Sequence, residues 1–267
     1  MKLLFSENQS DYANYQFPYS IWAIPEKNET PAKIFDRGFL PSSRELDRFY
    51  LCRHIRIKLN KFSRSSENRR ILRKGEGINY QLIPRQDFDY THHWREFCKN
   101  YSDIKFGKDV MTFERLDSLF NSKIISHLLL FTDNETSKNV GLATLYLEQK
   151  DLAYYYYAFY DLNYYHRNLG MFMMTSAVDN FSKLKYTYSY LGTCYSRNAL
   201  YKTQFSGFQF FNGFRWSENL KELKYLINRE KSTAKLHAVE TPEFVEKFYD
   251  GNLNSIIEES SFAIMVR

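Results

Sequence analysis

The spacing of apolar and polar residues changes period several times along this chain, most sharply between Asp151 and Trp216. Leu152 to Tyr160 (LAYYYYAFY) is apolar or aromatic at every position, as expected of a strand covered on both faces. Arg167-Asn168-Leu169-Gly170 then leads into a predicted helix. Its apolar residues Leu169, Phe172, Met173, Ala177, Phe181 and Leu184 fall at helical spacing. Tyr186 to Leu191 predicts a second strand, ended by Gly192, and a short helix follows before Trp216. A strand, a basic turn with one glycine, a helix and a parallel strand form a βαβ unit whose turn can receive an anion.

Upstream, His127 to Thr132 and Val140 to Leu147 predict two apolar strands joined by a polar hairpin loop, Asp133 to Asn139. A short turn, Glu148 to Asp151, leads from them into Leu152. Phe88 to Tyr101 and Asp109 to Ser122 carry helical patterns. His92-His93 is an unsuitable metal pair there, because adjacent helical residues point apart. Tyr80 to Pro84 fits a short strand or a linker. Phe49 to Leu59 alternates like one strand, and Ser65-Ser66 predicts the cap of a helix starting near Glu67. The N-terminal 40 residues are polar and aromatic, with Tyr12, Tyr15, Phe17, Tyr19 and Trp22 around a short run, Ile21 to Pro25, and a loop at Asn28 to Pro31. After Trp216 the pattern predicts a charged helix, Glu218 to Ile227, a helix from Thr241 to Tyr249, and a final apolar segment. The expected organisation is an N-terminal domain over 1–85, a main domain over 86–227, and an extension of unassigned role over 228–267.

Composition adds two points. Of 267 residues, 22 are Tyr and 23 are Phe, so aromatics reach 18% with the three Trp. For most of these a genome biased toward Tyr, Asn and Lys codons is sufficient; at a site they would stack bases or line a groove. Charge is concentrated: residues 44–85 hold twelve Lys/Arg and four Asp/Glu, a net of +8 against +6 for the whole chain, so the remainder is slightly acidic. A strand with Arg53 and Arg56, followed by a helix with Arg69, Arg70, Arg73 and Lys74, can supply phosphate contacts. The competing reading is a solvated basic surface. No run of ~18 apolar residues predicts a membrane span, and MKLLFSENQS is too short in apolar residues for a signal peptide. Three scattered cysteines argue against a disulfide framework or a cysteine metal site and fit a reducing cytoplasm.

The same stretches resemble the arginyl-tRNA–protein transferases. The resemblance rests on Phe159-Tyr160-Asp161, Asn168-Leu169-Gly170, Tyr190-Leu191-Gly192, Tyr201-Lys202 and Trp216, in that order. It also takes in Arg56-Ile57-Lys58-Leu59-Asn60-Lys61-Phe62 and Arg69-Arg70, and reaches from roughly Tyr12 to Trp216. The paired N-terminal cysteines common in that family are missing, so no metal is expected. The resemblance implies an α/β (α+β) fold of N-acetyltransferase-like (GNAT) type, a mixed sheet flanked by helices. It also implies transfer of arginine, or leucine, from charged tRNA to the N-terminal amine of an acceptor protein, the tagging step of N-degron degradation. Aminoacyl-tRNA would be a co-substrate and no cofactor is expected. The partners would be the tRNA and a protein or peptide N-terminus, with no membrane, and the chain would act as a monomer.

Transfer from an already activated ester needs proton removal from the amine, donors for the oxyanion, and positioning of two substrates. Asp161 is the candidate base or orienting carboxylate, or else a turn cap. Tyr157 and Tyr190 offer hydroxyls, or only packing. Lys202 could meet the terminal adenosine. Arg167 with the Leu169 and Gly170 amides could hold a phosphate, Gly192 ends the strand beside Tyr201, and Trp216 either stacks a base or closes the core. Arg53 or Arg56 would read an acidic acceptor residue. Two alternatives stay open: a CoA-dependent N-acetyltransferase and a non-catalytic tRNA-binding protein. Against CoA, Phe172 replaces a small residue of the usual pyrophosphate turn, where bulk would crowd the backbone.

Overall fold

A computed structural model describes residues 1–14, 16–229 and 237–262; Tyr15 and the end of the apolar C-terminal segment lie outside them. Strands β1 (Lys2–Glu7), β2 (Tyr19–Ile24), β3 (Phe39–Pro41) and β4 (Phe49–Leu51) form a small antiparallel sheet in the order β1-β2-β4-β3, with α1 (Pro31–Asp36) between β2 and β3. The chain continues through β5 (His54–Lys58), α2 (Ser66–Lys74), β6 (Ile78–Pro84), α3 (His92–Lys105), α4 (Phe113–Phe120), β7 (His127–Asp133), β8 (Asn139–Glu148) and β9 (Leu152–Tyr160). Then come α5 (Leu169–Lys183), β10 (Tyr188–Thr193), β11 (Phe208–Phe211), β12 (Trp216–Ser217), α6 (Leu220–Arg229), α7 (Pro242–Tyr249) and α8 (Leu253–Glu259). The second sheet is eight-stranded, in the order β12-β11-β5-β10-β9-β8-β7-β6.

Three antiparallel strands, β7 to β9, precede the crossover helix α5, and β10 returns parallel to β9. This is the mixed sheet flanked by helices that the sequence reading expects. One face packs on α2, α5, α6 and α7 through Ile71, Met173, Leu223 and Phe244; the other packs on α1, α3, α4 and the small sheet through Phe35, Trp94, Leu119 and Phe49. β9 is buried on both faces because its residues alternate between them: Leu152 and Tyr154 on one, Ala153 and Tyr155 on the other. A bulge sets Tyr156 and Tyr157 opposite Thr144, whose hydroxyl accepts the Tyr157 N–H at 3.0 Å. The extra residue reverses the phase, so Phe159 shares a face with Tyr154.

Several boundaries differ from the sequence pattern. Phe49 to Leu59 is two strands, because the chain crosses from the small sheet to the large one at Cys52-Arg53. The helices expected from Phe88 and Asp109 start at His92 and Phe113, where Thr91 and Thr112 cap them by accepting the Trp94 and Arg115 amides. Tyr80 to Pro84 belongs to the outer strand β6. Ser65 does cap α2: its hydroxyl accepts the Asn68 N–H and the Asn68 side chain accepts the Ser65 N–H, both at 3.1 Å. β5 and β6 precede residue 85, yet both are strands of the main sheet. β1 and α8 had no counterpart in the sequence reading. In the 228–267 segment, Tyr249 of α7 anchors to fully buried Glu222, to which Tyr249, Asn212 and Ser217 donate at 2.8, 2.8 and 2.6 Å.

α2 packs against α5 with no room to spare. A Cβ on Gly75 would lie 2.0 Å from the Phe172 ring. Gly75→Ala should therefore lower stability by about 1–3 kcal/mol, and Phe172→Leu in the same chain should restore part of it. Denaturant unfolding of the two single variants and the double variant measures that coupling; strict additivity would mean the contact is not felt.

His54 is fully buried between Tyr190, Phe211 and Trp216, with Nδ1–H donating to the Cys52 carbonyl at 2.9 Å. Burial drives its pKa down to about 3, so the folded protein holds it neutral. The unfolded chain binds a proton near the ordinary value of 6.5, so His54 withdraws stability as pH falls below that value. Between pH 7 and pH 5 the loss is about 2 kcal/mol. Thermal unfolding at both pH values should show a smaller acid-induced drop for His54→Gln than for the unaltered protein.

Candidate functional site

β9 and β10 pair only between Leu152–Tyr154 and Tyr188–Tyr190. Beyond Tyr190, β10 inserts Leu191 as an extra residue against β5, and Gly192 takes a left-handed conformation with φ +81°. That conformation suits glycine, which has no Cβ to clash. β10 thus follows β5 while β9 continues straight through its own bulge. The two parallel strands part, and a cavity of about 710 Å³ opens at their C-terminal ends. This is where ligands of open α/β sheets commonly sit.

One wall is the start of α5. Asn168 is left-handed, with φ 54° and ψ 40°, and the first helical hydrogen bond runs from Phe172 N–H to its carbonyl at 2.9 Å. The Leu169, Gly170 and Met171 amides precede that bond and have no helical acceptor, and all three residues line the cavity. A Cβ on Gly170 would lie 2.8 Å from the Tyr160 ring, so glycine lets that ring lie against the helix start. The opposite wall holds Leu191 and Thr193 of β10 with Tyr201 and Lys202 of a 3-10 segment, Arg197–Gln204. Lys202 Nζ donates to the Thr193 carbonyl at 2.9 Å, and burial lowers its pKa. It is the single charged side chain in the lining among the described residues.

The rest of the wall is aromatic: Tyr155, Tyr156, Tyr157 and Tyr160 from β9, Tyr101 and Phe106 from the α3 end, and Tyr165. Burial pushes the Tyr156 phenol up to about 12 and also raises Tyr101 and Tyr155 above the ordinary value of 10, so these hydroxyls stay protonated. These three phenols, the α5 amides without a helical acceptor and one ammonium can hold an acyl carbonyl, a ribose or a phosphate, and can donate to an oxyanion.

Of the residues singled out from sequence, Tyr157, Leu169, Gly170, Tyr201 and Lys202 meet in this cavity, with Gly192 between two lining residues. The others lie elsewhere. The Asp161 carboxylate accepts the Asn163 amide at 2.9 Å, capping the turn after β9, and is outside the lining. Tyr190 is 1% exposed and its hydroxyl accepts from Arg56 Nη1 at 3.3 Å. Arg56 is itself buried, bonded to Asp36 at 2.5 Å and Gln209 at 2.8 Å, between the Trp216 and Tyr188 rings at 3.7 and 3.9 Å. Trp216 Nε1 donates to the Asp36 carbonyl at 2.6 Å. Arg53 lies over the Tyr195 ring at 5.0 Å. Arg167 Nε donates to the Lys74 carbonyl at 3.2 Å, Nη2 bonds the Glu76 carbonyl, and Nη1 is 3.5 Å from Asp133. It ties the turn before α5 to the end of α2. Arg69, Arg70, Arg73 and Lys74 are exposed on α2.

Tyr101, Phe106, Tyr160, Tyr165, Asn168, Met171 and Thr193 were not singled out as site residues. The signal for Asn168 and Tyr160 was within reach, since Asn tolerates a left-handed cap and Gly170 marks a close approach. Nothing local marks Tyr101, which arrives from α3. The expected crowding by Phe172 is not met. Its ring is buried over Gly75 and against Phe131, outside the cavity lining.

No known protein family matches the chain, and no curated protein matches it. Solved structures with a partial likeness include the C-terminal domain of a putative lysylphosphatidylglycerol synthetase from Agrobacterium fabrum, at 12% identity and TM-score 0.44 over 54% of this chain and 46% of that one. FemX aligns at 10% identity and TM-score 0.39 over 53% of each chain. A GCN5-related glucosamine N-acetyltransferase region of a fungal multi-domain β-N-acetylglucosaminidase aligns at 11% identity and TM-score 0.40, over 70% of this chain and 23% of that one. The matches thus span about half or less of the neighbours' own lengths. Among the described residues, no helix is long and apolar enough to cross a membrane.

Proposed function

We propose that this chain is an acyltransferase that takes an aminoacyl group from a charged tRNA and moves it to an amine. The observation that carries the proposal is the composition of the cavity. It offers the first three amides of α5, which have no helical acceptor, one ammonium and a wall of tyrosines in which burial holds Tyr101, Tyr155 and Tyr156 protonated, and no carboxylate, imidazole or thiol among the described lining residues. The groups left are hydroxyls and Lys202, whose ammonium already donates to the Thr193 carbonyl, so they stand as hydrogen-bond donors. Such a site suits a donor that is already activated and an acceptor amine that attacks directly. An aminoacyl ester is such a donor, and the motif resemblance to the arginyl-tRNA–protein transferases supports the same choice.

In the proposed reaction the neutral amine attacks the ester carbonyl. A C–N bond forms, the C–O bond to the ribose breaks, and the proton lost by nitrogen ends on the released ribose hydroxyl. The α5 amides or Lys202 meet the developing oxyanion, and the aromatic wall holds the terminal adenosine by stacking. We assign Asp161 to the turn that places α5. The transferred residue is proposed as arginine or leucine, and the acceptor as a protein N-terminus. A second reading, acetyl transfer from CoA, is favoured by one observation: Phe172 leaves the α5 amides open to a pyrophosphate.

The deciding assay mixes purified protein with tRNA charged with labelled arginine or leucine, and with peptides starting in Asp, Glu, Lys or Arg; acetyl-CoA is the parallel donor. Label is expected on peptide from charged tRNA. Label from acetyl-CoA alone would sink the aminoacyl reading, and silence from every donor with retained tRNA binding would leave a binding protein. Lys202→Met should lower kcat/KM by roughly 10²–10³-fold without change in the circular dichroism spectrum. The pH dependence should follow the acceptor: kcat/KM rises with pH until the amine is deprotonated near its pKa of about 8, then levels. A limb near pH 4–5, in the carboxylate range, would instead point to an enzyme carboxylate.

A further inference from the structure

α2 runs antiparallel along α5. Near its start, Arg64 makes a bidentate pair with Asp179 at 2.5 and 2.7 Å, toward the end of α5. At its other end, the Lys74 and Glu76 carbonyls are held by Arg167, the residue before Asn168 at the cavity wall. α2 therefore spans most of α5 and stops at the cavity.

A groove of about 380 Å³ follows this helix, lined by Arg64, Arg69, Leu72, Arg73 and Glu76. Arg69 and Arg73 are one helical turn apart and both are exposed, so their guanidinium groups share a face. Arg69 donates to the Arg64 carbonyl at 2.7 Å, a contact that leaves its charge uncompensated. Like charges at this spacing destabilise a helix by about 0.2–0.5 kcal/mol, so the stripe is not there for α2's own stability. The neighbouring stripe is different. Arg70 is neutralised by Glu67 through two bonds at 2.7 and 2.5 Å.

We infer that Arg69 and Arg73 form a phosphate track that carries an RNA strand along α5 toward the aromatic cavity, with Arg64 held out of it by Asp179. The inference rests on the tRNA-dependent reading above and names the residues that would hold the donor outside the reacting centre. The charge pattern favours RNA: two uncompensated guanidinium groups lie in a row beside an apolar floor at Leu72, and the helix that carries them ends against Arg167, the residue before the cavity's Asn168. Glu76, the one carboxylate among the described lining residues of the groove, sits at the end where Arg167 binds the backbone.

The test measures binding without transfer. Fluorescence anisotropy of labelled, uncharged tRNA is followed from 50 to 300 mM KCl, and log Kobs is plotted against log salt. Each phosphate contact contributes a slope of about 0.7–0.9, so Arg69→Gln with Arg73→Gln should flatten the slope by roughly 1.4–1.8. Arg70→Gln should leave it nearly unchanged, because that charge is already paired. Circular dichroism and thermal unfolding check that each variant folds. The track is overturned if the double variant keeps the original slope, if Arg70→Gln flattens it equally, or if polyglutamate displaces the tRNA as well as unlabelled tRNA does. The two readings fail separately. A flattened slope in a protein that transfers nothing keeps the track and removes the enzyme. Transfer with an unchanged slope removes only the track.

Discussion

One parallel contact in an otherwise antiparallel sheet decides the architecture of this protein. β9 and β10 can run parallel only because α5 carries the chain across the sheet between them. They stay paired for three residues and then separate, while β10 stays paired with β5 on its other side. There β5 pairs with it through Tyr188 to Thr193, with a bulge at Leu191 that bends it away from β9. The cavity is the space this bend leaves. Its lining comes from whatever lies at the two strand ends and at the start of the crossover helix. A carboxylate is not needed to open it, and none of the described lining residues supplies one.

The insertion of β5 therefore has a structural role that its basic composition hides. Arg56 is sandwiched between Trp216 and Tyr188 while Asp36 and Gln209 take its donors. Burial of a guanidinium is tolerable when it is paired and stacked on aromatic faces. Trp216 in turn reaches the Asp36 carbonyl, and His54 fills the space beside it as a neutral ring. These contacts join α1, β5, β10 and β12 into one body, so the small sheet and the main sheet share a core. The C-terminal segment is held on the opposite face by Glu222 in the same way, through a polar cluster with each carboxylate oxygen satisfied.

The chemistry offered by the cavity follows from what the strands bring. Phenols kept protonated by burial, amides freed by a left-handed Asn168 and a single partly desolvated Lys202 form a donor-rich, acceptor-poor site. Such a site favours the oxygen-rich end of an activated ester or a phosphate over a cation. The exposed arginines of α2 lie outside this cavity but lead to it, because Arg167 fastens the end of α2 to the turn that opens α5. A single guanidinium thus connects the basic surface and the wall of the site, in a position where the sequence suggests a phosphate ligand.

The sequence by itself determined the βαβ unit, the cap of α2, the apolar strands β7 to β9 and the Leu-Gly start of α5, because each depends on neighbours within a few residues. It also marked five residues that meet in the cavity: Tyr157, Leu169, Gly170, Tyr201 and Lys202. Charge alone could not sort the rest. Arg53, Arg56, Arg69, Arg70, Arg73 and Arg167 look alike along the chain, yet one is buried between rings, one lies over the Tyr195 ring, one is a helix clip, one is paired with Glu67, and two remain open on α2. Which of these an arginine becomes depends on partners as far away as Asp36, Asp133 or Trp216. Phe172 looks like an obstacle to a pyrophosphate until Gly75, nearly a hundred residues earlier, provides the space that takes its ring. The tertiary structure decided those assignments, and the cavity itself, because β10 bulges at Leu191 while it stays paired with β5 on one edge and loses β9 on the other, and no local pattern records which strands flank it.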